Sequence, residues 1–184
     1  TTLPTLKRGD TRTVLGVWGH AYGLSALCRA AQGLPEDSSR YAELKKVAAL
    51  QMEALDQMAD VQGGWGYYTF QTFSKRPIGE PTSFLTATVL IAYKDAERAF
   101  GLKPDPRILK RAVAGLKKLR TPAGSYVYSF SHSFYPGRPI NRHTGSLART
   151  PACDYALRLW EPEAVSLRQL IDGLDRLWSR RGWL

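Results

Sequence analysis

Residues 61–70, Val61-Gln62-Gly63-Gly64-Trp65-Gly66-Tyr67-Tyr68-Thr69-Phe70, close one long helical pattern and precede another. Three glycines supply backbone freedom, while Trp65, Tyr67, Tyr68 and Phe70 bring large apolar area to the same few ångströms. The stretch reads as a joint between helices. Sixty positions later it returns as Ala123-Gly124-Ser125-Tyr126-Val127-Tyr128-Ser129-Phe130, with Gly64, Tyr68 and Phe70 matched by Gly124, Tyr128 and Phe130. A fainter echo follows at Gly182-Trp183. Both joints alternate enough to form short strands, but their brevity between long helices favours an extended connector.

The segments on either side of the joints carry helical periodicity. Asp10 or Thr11 caps a helix running to Gln32, where Gly33 stops it, and apolar residues cover nearly its whole circumference. Such a helix is expected to be buried on several sides. Ser38 and Ser39 cap the next, whose apolar stripe includes Tyr41, Leu44, Ala48 and Leu55 and whose other positions are charged. Pro81-Thr82-Ser83 restarts a broadly apolar helix over 84–100, ended by Gly101, and Asp105-Pro106 opens an amphipathic one. A helix over 146–160 with Pro151 in its first turns and a last helix restarted by Pro162 complete the pattern. Broadly apolar and half-exposed helices therefore alternate in three hairpins, about 11–60, 82–120 and 146–180. Hairpins that cannot bury their apolar faces alone stack into an open solenoid or a closed ring, so the chain is expected to be all-α and a single domain.

At 184 residues the chain is long enough for a real core. No apolar run reaches the roughly 18 residues of a membrane span, because charges punctuate every hydrophobic segment. The start at Thr1-Thr2 without methionine points to processing or to a longer parent chain, and no signal-like segment indicates a compartment. Cys28 and Cys153 are too few for a disulfide scaffold and read as buried thiols. The net charge of +10 is concentrated after residue 100, where 15 Lys and Arg face 6 Asp and Glu, against 11 and 10 before it. These basic residues are dispersed over amphipathic helices with no nucleic-acid motif, which ranks nucleic acid last among the partners.

The string Gln57-x5-Gly63-x-Trp65 resembles the QW motif of squalene cyclases and related terpene cyclases, whose relatives include the protein prenyltransferase β subunits. The resemblance implies helical hairpins arranged as an α/α toroid or part of one. It makes Gln57, Gly63 and Trp65 structural clamps, the glutamine amide meeting the next repeat and the tryptophan packing against it. Lys117 and Ser125 stand at the corresponding positions of the second joint, and Asp175 and Arg181 at the third, where Trp183 remains. The chemical motifs of that superfamily do not carry over: the chain has neither Asp-x-Asp-Asp nor Asp-Asp-x-x-Asp. Arg149 to Tyr155 is somewhat similar to the prenyltransferase cysteine helix, but Pro151 replaces its aspartate. Cys153 and Asp154 point about 100° apart on a helix, which argues against joint zinc ligation.

No catalytic residue is therefore assigned, and no metal or cofactor is expected. His20 reads as a hydrogen-bonded core histidine. The candidate ligand-binding residues are Tyr128, His132, Arg138, Arg142, His143 and Arg149, because arginine forks and imidazoles at a repeat's rim suit an anionic group beside an aromatic surface. The leading functional expectation is a toroid-like protein holding an isoprenoid or other apolar, lipid-like ligand in its concavity. The alternative is a non-catalytic helical scaffold that binds a protein partner or self-associates.

Overall fold

The computed structural model describes residues 16–66 and 80–183. Among these the architecture is all-helical, with seven α-helices, short 3-10 turns and two isolated antiparallel bridges, Thr82 with Ser129 and Arg120 with Tyr126. The helices are α1 (Gly16–Ala31), α2 (Ser39–Met58), α3 (Ser83–Phe100), α4 (Pro106–Lys118), α5 (His143–Ser146), α6 (Arg149–Trp160) and α7 (Leu167–Ser179).

Their ends follow from local chemistry. The Ser38 hydroxyl accepts the Tyr41 N–H at the start of α2, and Asp105 accepts the N–H groups of Arg107 and Ile108 at α4, where Pro106 occupies a position needing no donor. Gly101 closes α3 at φ +68°. The last helix departs from expectation. Pro162 only opens a turn, and α7 starts at Leu167 behind a capping box in which Ser166 and Gln169 satisfy each other's backbone N–H groups. The pattern over 146–160 is likewise split, since the one-turn α5 ends before α6 begins at Arg149, with Pro151 in the first turn of α6.

The contacts form a row. α1 packs on α3 and α3 on α6, while α2 packs on α1 and α3, α4 on α3 and α6, and α7 on α6. α3 is the most enclosed: Leu85, Ala87, Val89, Leu90, Ala92, Tyr93 and Ala96 are fully buried. α1, expected to be buried on several sides, is buried along one stripe, Val17, Ala21, Leu24, Cys28 and Ala31; among the described helices it packs mainly on α2 and α3. Its Tyr22 is 60 % exposed. α7 carries its apolar stripe outward, with Leu167, Ile171, Leu174 and Trp178 exposed and only Gly173 buried.

The first joint fastens this row. Trp65 is fully buried, and its indole N–H donates to the Leu55 carbonyl at 2.8 Å, capping one of the orphan carbonyls that end α2. Its ring stands edge-on to Tyr93 of α3, and its backbone N–H donates to Thr86 Oγ1. Gly63 (φ +102°) lies against α4: a Cβ at Gly63 would meet the Arg111 carbonyl oxygen at 2.2 Å, and one at Gly115 would meet the Gly63 oxygen at 2.4 Å. Glycine is required on both sides of this contact. Gln57, by contrast, is exposed and its amide donates to Glu53 one turn back along its own helix. The residues expected at 67–70 lie outside the described residues.

Candidate functional site

Both joints deliver a carbonyl to the first turn of α3. The Thr82 N–H donates to the Trp65 carbonyl and the Ser83 N–H to the Tyr128 carbonyl, each at 2.9 Å. This brings the second joint against the N-terminal ends of α3 and α6, where an unbroken line of rings forms. Tyr22 stacks on Trp18 at 5.4 Å, Trp18 meets Phe84 at 5.3 Å, Phe84 meets Tyr128 at 5.4 Å, and Tyr128 meets the His132 ring edge-on at 5.2 Å. Each separation lies in the range in which aromatic pairs attract, by about 0.5–1.5 kcal/mol beyond their burial.

At the imidazole end the line runs into a hydrogen-bonded relay. The Ser129 hydroxyl contacts Glu80 Oε2 at 2.6 Å and His132 Nδ1 at 2.8 Å. Ser131 donates both its hydroxyl and its backbone N–H to the same carboxylate. Desolvation raises the Glu80 pKa, but the hydrogen bonds from Ser129 and Ser131 outweigh it and hold the carboxyl below its ordinary range, so it is ionised at neutral pH. A carboxylate only accepts, and Ser129 has one hydroxyl proton. That proton goes to Glu80, which obliges His132 to donate from Nδ1 and leaves Nε2 as the acceptor in the neutral ring. Thr82, backbone-bridged to Ser129, has a buried hydroxyl oxygen without a hydrogen-bond partner.

Asn141, 7 % exposed, sets the loop that presents these groups: its amide oxygen accepts the Tyr128 N–H, and its amide nitrogen donates to the carbonyls of His132 and Tyr135. Arg149 underlies Tyr128 with its guanidinium 5.6 Å from the ring. It is 8 % exposed and donates from Nε and Nη2 to the Tyr126 carbonyl and from Nη2 to the Ile140 carbonyl. Burial lowers its pKa from the ordinary value, against smaller contributions from Cys153 and Tyr128, yet a guanidinium stays charged.

Of the sequence candidates, Tyr128, His132 and Arg149 thus come together. Arg142 is exposed and donates from Nε to the Gly137 carbonyl, and Arg138 lies over the Tyr135 ring at 4.7 Å, so both attend to their own loop. His143 opens α5, and its side chain lies outside the described residues. Glu80, Ser129, Asn141, Trp18 and Phe84 were not singled out from the sequence as site residues. Cys153 is fully buried, and desolvation pushes its thiol well above the ordinary value. Asp154 accepts from the Tyr126 hydroxyl at 2.8 Å, and burial raises its pKa. Among the described residues no three His, Cys, Asp or Glu side chains are grouped as a metal site would need. A groove of about 710 Å³ beside the second joint is lined by Lys117, Arg120, Glu161 and Glu163 and by no aromatic ring. His20 Nδ1 meets Gln51 Oε1 at 2.6 Å, in line with a hydrogen-bonded histidine on α1. Comparison with protein-family models, curated proteins and solved structures returns no match.

Proposed function

We propose that this is a ligand-binding α/α-hairpin protein, resembling the terpene cyclase and prenyltransferase superfamily, that receives an isoprenoid or other apolar ligand. The hairpins are read as a toroid or part of one, with the ligand lying along the ring line. The observation that carries this reading is the continuous contact from Tyr22 through Trp18, Phe84 and Tyr128 to His132, which crosses from α1 to α3 to the second joint. A core needs aromatic rings inside. This line instead begins at a largely exposed tyrosine and ends at a half-buried histidine, with only partial burial between. Rings arranged in this way offer polarisable apolar surface to an extended hydrocarbon, and their faces also favour positive charge. Trp18 reports on its own site. Titration with a C15 isoprenoid should quench tryptophan emission saturably, and Trp18→Leu should remove that change while leaving the circular dichroism spectrum intact. Quenching that is linear in ligand, or unchanged in the variant, would refute the proposal.

A further inference from the structure

Resting on that reading, we infer that the polar end of the site recognises a neutral hydroxyl head group, an apolar alcohol whose O–H donates to His132 Nε2, rather than an anionic head such as a diphosphate. The tautomer is fixed by the relay. Glu80 takes the Ser129 proton at 2.6 Å, Ser129 takes the Nδ1 proton of His132 at 2.8 Å, and the imidazole has only its Nε2 lone pair left to offer. The relay is held from two directions, since Glu80 precedes α3 while Ser129 ends the second joint and Ser131 and His132 follow it, where Asn141 holds the His132 carbonyl.

The charged groups around the ring point the same way. Glu80 places a carboxylate beside His132, which repels an anion. Arg149, on α6, could answer an anion, but three donor contacts commit its Nε and Nη2 to backbone carbonyls. Arg142 Nε is tied to Gly137, and Arg138 stacks on Tyr135. Among the described residues the further ionisable neighbour is Tyr128, whose ring meets His132 edge-on and leads into the apolar line. A ligand with a hydrocarbon body and a single O–H donor matches the whole arrangement: the rings cover the body and the lone pair takes the proton.

The test uses four probes on the full chain, namely farnesol, its methyl ether, the corresponding hydrocarbon farnesene, and farnesyl diphosphate. The alcohol can donate, whereas the ether can only accept and so sets one lone pair against another. At about pH 8 farnesol should bind about five- to tenfold more tightly than the ether, the value of one hydrogen bond. His132→Phe, which keeps a ring at the end of the line but no lone pair, should abolish the alcohol's advantage over the ether. His132→Gln, which offers both an acceptor and a donor, should bind alcohol and ether alike. Equal affinity for alcohol and ether at about pH 8, a gap that survives in His132→Phe, or tighter binding of the diphosphate would each overturn the inference. Farnesene binding would then still stand for the ring line itself, whereas failure of all four probes would sink both readings.

Discussion

Gly115 offers a test in which local propensity and tertiary geometry predict opposite signs. It lies in α4, and replacing a helical glycine by alanine ordinarily stabilises by about 1 kcal/mol through lost backbone freedom in the unfolded chain. Here the new Cβ would stand 2.4 Å from the Gly63 carbonyl oxygen and 3.1 Å from its carbon. Carbon and carbonyl oxygen rest at about 3.3–3.6 Å, so α4 and the joint must part by about 1 Å. The obstacle is backbone in a positive-φ residue, two positions before a fully buried tryptophan, so no flexible side chain can give way. Overpacking of that kind costs about 2–3 kcal/mol, and the net expectation is a loss of about 1–2 kcal/mol. Gly19, exposed in α1 with nothing within 4 Å of its added Cβ, is the internal control: Gly19→Ala should stabilise by about 0.5–1 kcal/mol. Urea denaturation at equal protein concentration reads both. A Gly115→Ala chain at least as stable as the parent would refute the close approach of α4 to the joint.

Two further outcomes follow from the same structure. Trp65→Phe keeps an aromatic ring in the buried site but leaves the Leu55 carbonyl without its indole donor, so unfolding free energy should fall by about 1–3 kcal/mol; Trp65→Ala should cost about 3–5 kcal/mol, both measurable in urea. Asp56 accepts the Tyr93 hydroxyl at 2.6 Å, and desolvation raises its pKa above the ordinary carboxylate value. A raised folded-state value means that the folded chain holds this proton more tightly, so the group opposes folding at neutral pH and ceases to do so as the pH falls below its unfolded value. Asp56→Asn keeps an acceptor without the charge. It should raise Tm at neutral pH, with the difference vanishing under acid conditions; a lower Tm at neutral pH would contradict the assignment.

The fold was legible where short-range chemistry decides it. Ser38, Gly101 and Asp105-Pro106 act at fixed offsets from the turns they close, and each sits where the sequence placed a boundary. Pro162 misled because proline marks a turn as readily as a helix start, and the actual cap four residues on needed Ser166 and Gln169 to be read as a pair. The breadth of the apolar pattern on α1 misled too: interleaved glycine and alanine look buried in a sequence but need no cover, and among the described helices α1 packs mainly on α2 and α3. At the site, the second joint drew attention to Tyr128 and His132. Glu80 is 49 residues from Ser129, and only the meeting of both joints at the start of α3 makes them one relay. Arg149 lies beside the Tyr128 ring, but its donors turn inward to carbonyls, a direction no spacing reveals.

The central position of α3 has a kinetic side. It touches α1, α2, α4 and α6, and both joints are pinned to its first turn, so its amides cannot open without breaking contacts to most of the chain. α7 rests on α6 with a single buried residue of its own. Amide hydrogen exchange should therefore be graded by neighbour: α7 opens by local fluctuation, whereas α3 exchanges only when the whole cooperative unit unfolds. The segment that gathers the joints is thus also the clock by which the rest of the chain comes apart.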